Sequence, residues 1–152
     1  MQLDSKRSSI VSKISDILSA QIGSENGHKL YDVTKGINYG DHVLIEKLAS
    51  TGDSLIWIIP EPYTPTSDRD LEDHDIPFTF AAMVNDLDPE AGQKKAESIR
   101  DRVYELLSSD RQLAGLVDVV MPGTIDPAYR VTDQMAVYSA ACTLIFRVLL
   151  QE

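Results

Sequence analysis

The side chains best suited to catalysis or metal binding are few in this sequence, and they lie far apart. Its three histidines, His28, His42 and His74, show neither the His-x-x-x-His nor the His-Glu-x-x-His spacing that places two zinc ligands on one helix face. We therefore predict loop or surface histidines rather than metal ligands. The sequence also has no Gly-x-Ser-x-Gly elbow, no phosphate-binding glycine loop and no Cys-His constellation. These residues predict neither an enzyme nor a cofactor site.

Carboxylates are abundant, and three of them have the spacing of the first ligands in a calcium-binding loop. If Asp68, Asp70 and Glu72 took ligand positions 1, 3 and 5, the sixth position would be Asp73 instead of glycine, and the twelfth would be Thr79 instead of glutamate. Carboxylates in solvated runs are also poorly suited to acid–base catalysis, because nothing around them tunes them for it. No calcium site is predicted.

The same carboxylates belong to residues 60–75, the one long segment without a predicted helix or strand. Prolines at positions 60, 62 and 65 keep this acidic, proline-rich loop extended, and five acids within residues 68–75 keep it solvated. Two interpretations stay open, a flexible hairpin tip and an arm that contacts a neighbouring subunit. The residues that such an arm would present are Tyr63, Arg69, Asp70, Glu72 and Asp73.

The composition narrows the class of protein further. At 152 residues, the chain is long enough to bury a core of its own, so residues 1–152 are predicted to form a single domain. The lone cysteine, Cys142, lies on the apolar side of the last predicted strand, which favours a buried thiol. No apolar run reaches signal-peptide or membrane-spanning length, so we expect an intracellular chain without membrane contact.

The charge balance is strongly acidic, with a formal net charge of -10 at pH 7 and a pI near 4.6. Affinity for a phosphate backbone depends on clustered Lys and Arg, and no window of five residues is rich in them. Specific nucleic-acid binding is therefore not predicted. Mutual repulsion between copies keeps a protein soluble, and this role alone is enough to explain the acidic net charge.

The best-marked helix of the sequence begins at Asp88-Pro89-Glu90. Asp88 suits the N-cap, Pro89 the first helical position and Glu90 the positive end of the helix dipole. Apolar residues at spacings of three and four then predict one buried stripe, and they are Ala96, Ile99, Val103, Leu106 and Leu107. A short strand over 116–121 and a long alternating strand over 135–150 follow.

The remaining elements are helices over 8–19 and 41–49 and strands over 29–33, 55–59 and 76–84. Together they predict an α+β fold, a small mixed, mostly antiparallel sheet packed by two main helices. The continuous apolar run of 55–59 indicates a central strand covered on both faces. Trp57 in that run should contact Ile99, Val103 and Leu106 across the interface between sheet and helix.

The last predicted strand is too long to be one straight buried strand, because its 16 residues would span about 50 Å and a domain of this size has a radius of gyration near ~15 Å. We expect a break at 139–141, where small side chains leave room for a bulge. Ala136 and Tyr138 would then reach a neighbouring subunit as a strand edge, with a bent strand inside one chain as the equal alternative.

The C-terminal half resembles a known family. The residues that fit its pattern L-x-x-D-x-x-L-x-G-x-V are Leu107, Asp110, Leu113, Gly115 and Val117. Together with the helix before them and the strand, loop and final strand after them, they resemble the tail terminator proteins of tailed bacteriophages, also called tail completion or minor tail U-like proteins. The resemblance covers about residues 75–150 and a helix over 8–19.

The resemblance implies a virion structural protein of the tail and neck that is assembled in the host cytoplasm. Members of this family form a ring, usually of six copies, which caps the tail tube, stops its polymerisation and joins it to the head. The implied partners are other copies of the chain, the tail tube protein, a head completion or stopper protein and, in a contractile tail, the sheath protein.

A ring of this kind would let DNA pass without binding it specifically. Six copies at -10 each would carry about -60, and acids facing the lumen would let the phosphate backbone slide. Two alternatives stay open. One is another neck protein, such as a head completion or stopper protein, and the other is a small acidic enzyme or a cellular binding module.

Overall fold

The computed structural model describes residues 3–21, 33–35, 54–68, 71–131 and 136–151. Its elements are α1 (Leu3–Gln21), β1 (Val33–Lys35), β2 (Ser54–Pro60), β3 (Thr66–Asp68), β4 (Leu71–Asn85), α2 (Pro89–Ser109), β5 (Val119–Ile125), β6 (Tyr129–Arg130) and β7 (Val137–Gln151). The predicted class is confirmed, because two helices pack on a mixed, mostly antiparallel sheet. Neither of these two helices is long and apolar enough to cross a bilayer.

The sheet is built around two strands of equal length. Its strand order is β1-β2-β4-β7-β5, with β3 also paired to β4 and β6 also paired to β7. The β1–β2 pair is parallel, and the other pairs in the described part are antiparallel. The strands β4 and β7 pair over all 15 residues, from Leu71 opposite Gln151 to Asn85 opposite Val137. This ribbon fixes the register of the whole sheet.

Both helices cover the same face of the sheet, which we call the inner face. Alternate residues of β4 and β7 point into this core, where Phe78 and Phe146 meet edge to face with ring centroids 5.6 Å apart. The buried helix residues that pack on them include Ile10, Ile14 and Leu18 of α1 and Ala96, Ile99, Val103 and Leu107 of α2. The apolar stripe of α2 is therefore where the sequence predicted it, except that Leu106 is only partly buried.

The start and the end of α2 both depend on aspartate side chains. At the start, Asp88 accepts a hydrogen bond from the Glu90 N–H at 3.1 Å, as an N-cap does. At the end, Asp110 accepts from the N–H groups of Gln112 and Ala114 at 3.1 and 2.6 Å. These bonds hold the pKa of the Asp110 carboxyl below its usual value. The sequence pattern that runs from Leu107 to Val117 thus contains the turn that ends α2.

One prediction about the packing of β2 is wrong. Trp57 does not face α2, because Ile56 and Ile58 point into the helix-covered core and side chains alternate along a strand. Trp57 instead contacts a second, smaller cluster on the opposite face, built from Leu55, Met83, Val137 and Val131. Neither of the two described helices therefore covers the Trp57 face of β2.

The predicted break at 139–141 is also absent. The strand β7 stays in register with β4 throughout, and the irregularity lies instead in β5, between Pro122 and Ile125. Tyr138 is 1% exposed, and its backbone pairs with Val84 on one side and Arg130 on the other. The predicted strand edge is therefore wrong, since β7 lies inside the sheet with a partner strand as long as itself.

The acidic segment is more regular than predicted. Pro60 ends β2, β3 begins at Thr66, and β4 begins at Leu71, five residues before the predicted strand. Among the described residues of this segment, only 61–65 lie outside strands. At the other end of the chain, α1 begins five residues before the predicted helix. The predicted helix over 41–49 lies outside the described residues, and the predicted strand over 29–33 meets them only at Val33, where β1 starts.

Candidate functional site: the outer face of the sheet

The residues predicted to form an assembly surface do not come together. Glu72 and Asp73 lie near one end of the β4–β7 ribbon, whereas Tyr138 lies opposite Val84 near the other end. Val84 lies eleven positions after Asp73 along the strand, or about 36 Å away. Ala136 lies beyond Tyr138 and accepts a backbone hydrogen bond of 2.9 Å from the Asp86 N–H. The positions of Arg69 and Asp70 lie outside the described residues.

Tyr63 is engaged by its own chain rather than presented outward. Its hydroxyl lies 2.8 Å from Nδ1 of His74, and the two rings meet edge to face at 5.6 Å. The Arg7 guanidinium of α1 lies over the tyrosine ring, 5.2 Å from its centroid. Tyr63 therefore ties the 61–65 segment to α1 and β4.

His74 is not the surface or loop histidine that the sequence predicts. It is 3% exposed in β4, on the same face as Ile76. The Glu72 carboxylate lies 3.2 Å from Nε2, in a direction that does not form a hydrogen bond, so Nε2 has no hydrogen-bond partner among the described residues. The sequence does not indicate that His74 is buried, because the acidic residues around it are typical of a solvated loop.

The face opposite the helices, which we call the outer face, is uncharged over most of its area. The alternate residues of β2, β4 and β7 that form its middle are Trp57, Ile59, Pro77, Thr79, Ala81, Met83, Ser139, Ala141, Thr143 and Ile145. Ala81, Met83 and Ser139 are buried, and the other seven are half-buried. The cluster that Trp57 joins on this face contains no residue of α1 or α2. The outer face is thus an apolar sheet surface that the two helices leave open.

A groove of about 140 Å³, the central groove, crosses the middle of the outer face. Its floor consists of small side chains, since Ala81 lies directly opposite Ala141 on the neighbouring strand. Trp57, which is opposite Ala81 on the other side, forms one wall, and Tyr129 and Val131 form the other. No side chain that lines the groove is charged.

The far wall of the groove is held in place by a buried arginine from the other side of the sheet. Arg100 of α2 is 8% exposed and donates to the backbone carbonyl of Asp126 at 2.6 Å and to the Asp101 carboxylate at 2.8 and 3.0 Å. Asp126 begins the loop to β6, and the Val131 N–H then donates to the Val137 carbonyl at 2.8 Å. The helix α2 thereby anchors the segment that leads into this wall. In the sequence, Arg100 reads as part of the polar side of α2.

Two oppositely charged side chains, Asp75 and Arg147, lie at one end of the outer face, and the Glu61 carboxylate reaches Thr79 nearer its middle. Arg147 donates to both carboxylate oxygens of Asp75, at 2.7 and 3.0 Å. This hydrogen-bonded pair lowers the pKa of Asp75 and raises that of Arg147. Both side chains are more than two-fifths exposed, so the pair adds little to stability. Arg147 thus balances Asp75, and Asp73, on the same side of β4, acts on Arg147 as well.

A larger groove of about 570 Å³ lies between α1 and the ends of β2 and β4. Its polar lining includes Arg7 and Glu61, and both side chains are already engaged. Arg7 lies on the Tyr63 ring, and Glu61 accepts a 2.8 Å hydrogen bond from Thr79. The geometry therefore offers a small ligand few specific contacts there.

Reactive groups are not gathered anywhere in the described part of the chain. No three His, Cys, Asp or Glu side chains converge there as metal ligands would. Cys142 is fully buried, as predicted, and burial raises its pKa to about 12, so the thiol is no nucleophile near neutral pH. In comparisons with known proteins, no protein-family model matches this chain, and no curated protein matches it.

Proposed function

We propose that this chain is a virion structural protein of a tailed bacteriophage, a tail terminator. In this proposal, six copies form a ring that caps the tail tube, stops its polymerisation and joins it to the head or neck. Its partners are other copies of itself, the tail tube protein, a head completion or stopper protein and, where the tail contracts, the sheath protein. The order of α2, the Asp110 turn, β5 and β7 supports the proposal, because it is the order that the family resemblance implies.

The observation that carries the proposal is the open, uncharged outer face. A sheet with apolar side chains on both faces normally buries both, and a contiguous apolar patch at the surface marks a contact with another protein. Seven of the ten residues in the middle of this face remain half-buried in the single chain. In the proposed ring, the outer face of one copy is covered by the neighbouring copy.

The net charge of the chain also favours the outer face as the contact between copies. Copies at -10 each repel one another, so a stable contact between them has to use a surface without unpaired acids. The ten residues in the middle of the outer face are uncharged, although the Glu61 carboxylate reaches Thr79 there, and Arg147 balances Asp75 at the end.

Electron microscopy of the purified protein, alone and mixed with tail tubes of the phage that encodes it, tests this function. Rings in the first sample and tubes capped at one end in the second are expected. A neck stopper would instead bind a terminated tail and leave free tubes uncapped. Tubes that grow to the same lengths with and without the protein would refute the tail terminator function.

A further inference from the structure

We propose that copies of the chain join head to tail, with Leu87 of one copy inserted into the central groove of the next. This inference rests on the proposed function, since it identifies the subunit contact of the ring. The groove and Leu87 are two different surfaces of one chain. A contact of this kind is heterologous, and it closes into a ring when the rotation between neighbours permits.

Leu87 is the most exposed large apolar residue of the described part, at 92%. It lies at the corner between β4 and α2, which we call the Leu87 corner. A single exposed leucine needs no explanation, but this one is held outward by a fixed backbone. The groups that fix the backbone are the two aspartates on either side of it.

Each flanking aspartate has a structural task. Asp86 accepts from Lys95 Nζ at 2.7 Å and from the Asp88 N–H at 2.9 Å, and its own N–H donates to Ala136. The bonds from Lys95 and from the backbone of Asp88 lower the pKa of Asp86. Asp88 caps α2 through Glu90. The Leu87 corner is therefore ordered before it meets a partner, which lowers the entropy cost of binding.

The central groove has the size and polarity that a leucine side chain needs. An apolar cavity of about 150 Å³ holds a benzene ring, so a groove of 140 Å³ accommodates the four carbons of leucine. The floor of Ala81 and Ala141 leaves this depth between the walls of Trp57 and Tyr129. The side chains that line the groove are uncharged, and at the Leu87 corner the Lys95 ammonium balances the Asp86 carboxylate.

Size-exclusion chromatography with light scattering over a dilution series tests the contact. Leu87→Ala removes the inserted side chain, and Ala141→Trp fills the groove. We expect each variant to raise the concentration at which rings dissociate by about tenfold or more. The matched control is Leu149→Ala, an exposed leucine of β7 outside the groove, which should assemble like the wild type. Circular dichroism checks that every variant folds.

Mixing the two variants tests the head-to-tail geometry. A chain with Leu87→Ala keeps its groove, and a chain with Ala141→Trp keeps its leucine. The mixture should therefore form heterodimers with one intact junction and stop there. Folded variants that remain monomeric when mixed would overturn the head-to-tail contact, as would a Leu87→Ala protein that assembles like the wild type. A wild-type protein that never assembles would refute the proposed function instead.

Discussion

A close contact between α2 and β7 predicts that an alanine, normally a favourable helix residue, destabilises α2 at position 92. Gly92 of α2 is buried against Tyr138 of β7. A Cβ added at Gly92 would meet Cδ2 of the tyrosine ring and would lie 2.8 Å from Cε2. Carbon atoms in optimal contact are about 3.5–4.0 Å apart, so the ring or the helix has to move by roughly 1 Å.

Two opposing contributions set the size of the effect. Replacing glycine by alanine inside a helix normally stabilises it by about 0.5–1 kcal/mol. Overpacking a buried contact costs about 1–3 kcal/mol, and Tyr138 is only 1% exposed, which leaves its ring little room to shift. We therefore expect Gly92→Ala to lower the free energy of unfolding by about 1–2 kcal/mol, or the midpoint of thermal unfolding by roughly 2–8 °C.

Thermal and urea unfolding of four proteins measures this effect. They are the wild type, Gly92→Ala, Tyr138→Ala and the double variant. Without the tyrosine ring, Gly92→Ala should become neutral or stabilising, because only the helix propensity remains. Gln93→Ala, at an exposed position of the same helix, controls for propensity alone. A Gly92→Ala protein more stable than the wild type would refute the packing of α2 on β7 described here.

Three further predictions concern the core, the groove wall and the Asp110 turn. Leu107→Ala should cost about 2–5 kcal/mol in urea unfolding, and Leu106→Ala clearly less, because only Leu107 is fully buried; equal losses would contradict this. Arg100→Ala should speed amide hydrogen exchange at Val131, since the loop before it loses its anchor; unchanged protection would count against that role. Because the folded pKa of Asp110 is lowered, its contribution to stability is present above the usual value of 3.8 and is lost as the pH falls through the folded pKa. Asp110→Asn should flatten that acidic part of the stability profile, and an identical profile would argue against the turn.

Local signals were sufficient to predict α2 and the inner core. The N-cap at Asp88 and the spacing of Ala96, Ile99 and Val103 are both encoded within a few residues, so they can be read without knowing what they pack against. The α+β class follows from the same kind of signal.

The long strands could not be predicted in full, because their ends depend on distant partners. His74 and its acidic neighbours belong to β4 because they pair with β7, up to Gln151 at its far end. Trp57 was assigned to the wrong face because an unbroken apolar run shows no alternation. The central groove escaped prediction for a related reason, since its floor joins Ala81 and Ala141 from two strands far apart in sequence.

The mass of the purified, full-length protein in solution tests the central claim most directly. One chain has a mass of 16.8 kDa, so a ring of six has a mass of about 101 kDa. Native mass spectrometry across a range of protein concentrations should show this closed species, without a ladder of larger open chains. A single species of 16.8 kDa at every concentration would contradict a ring-forming tail terminator.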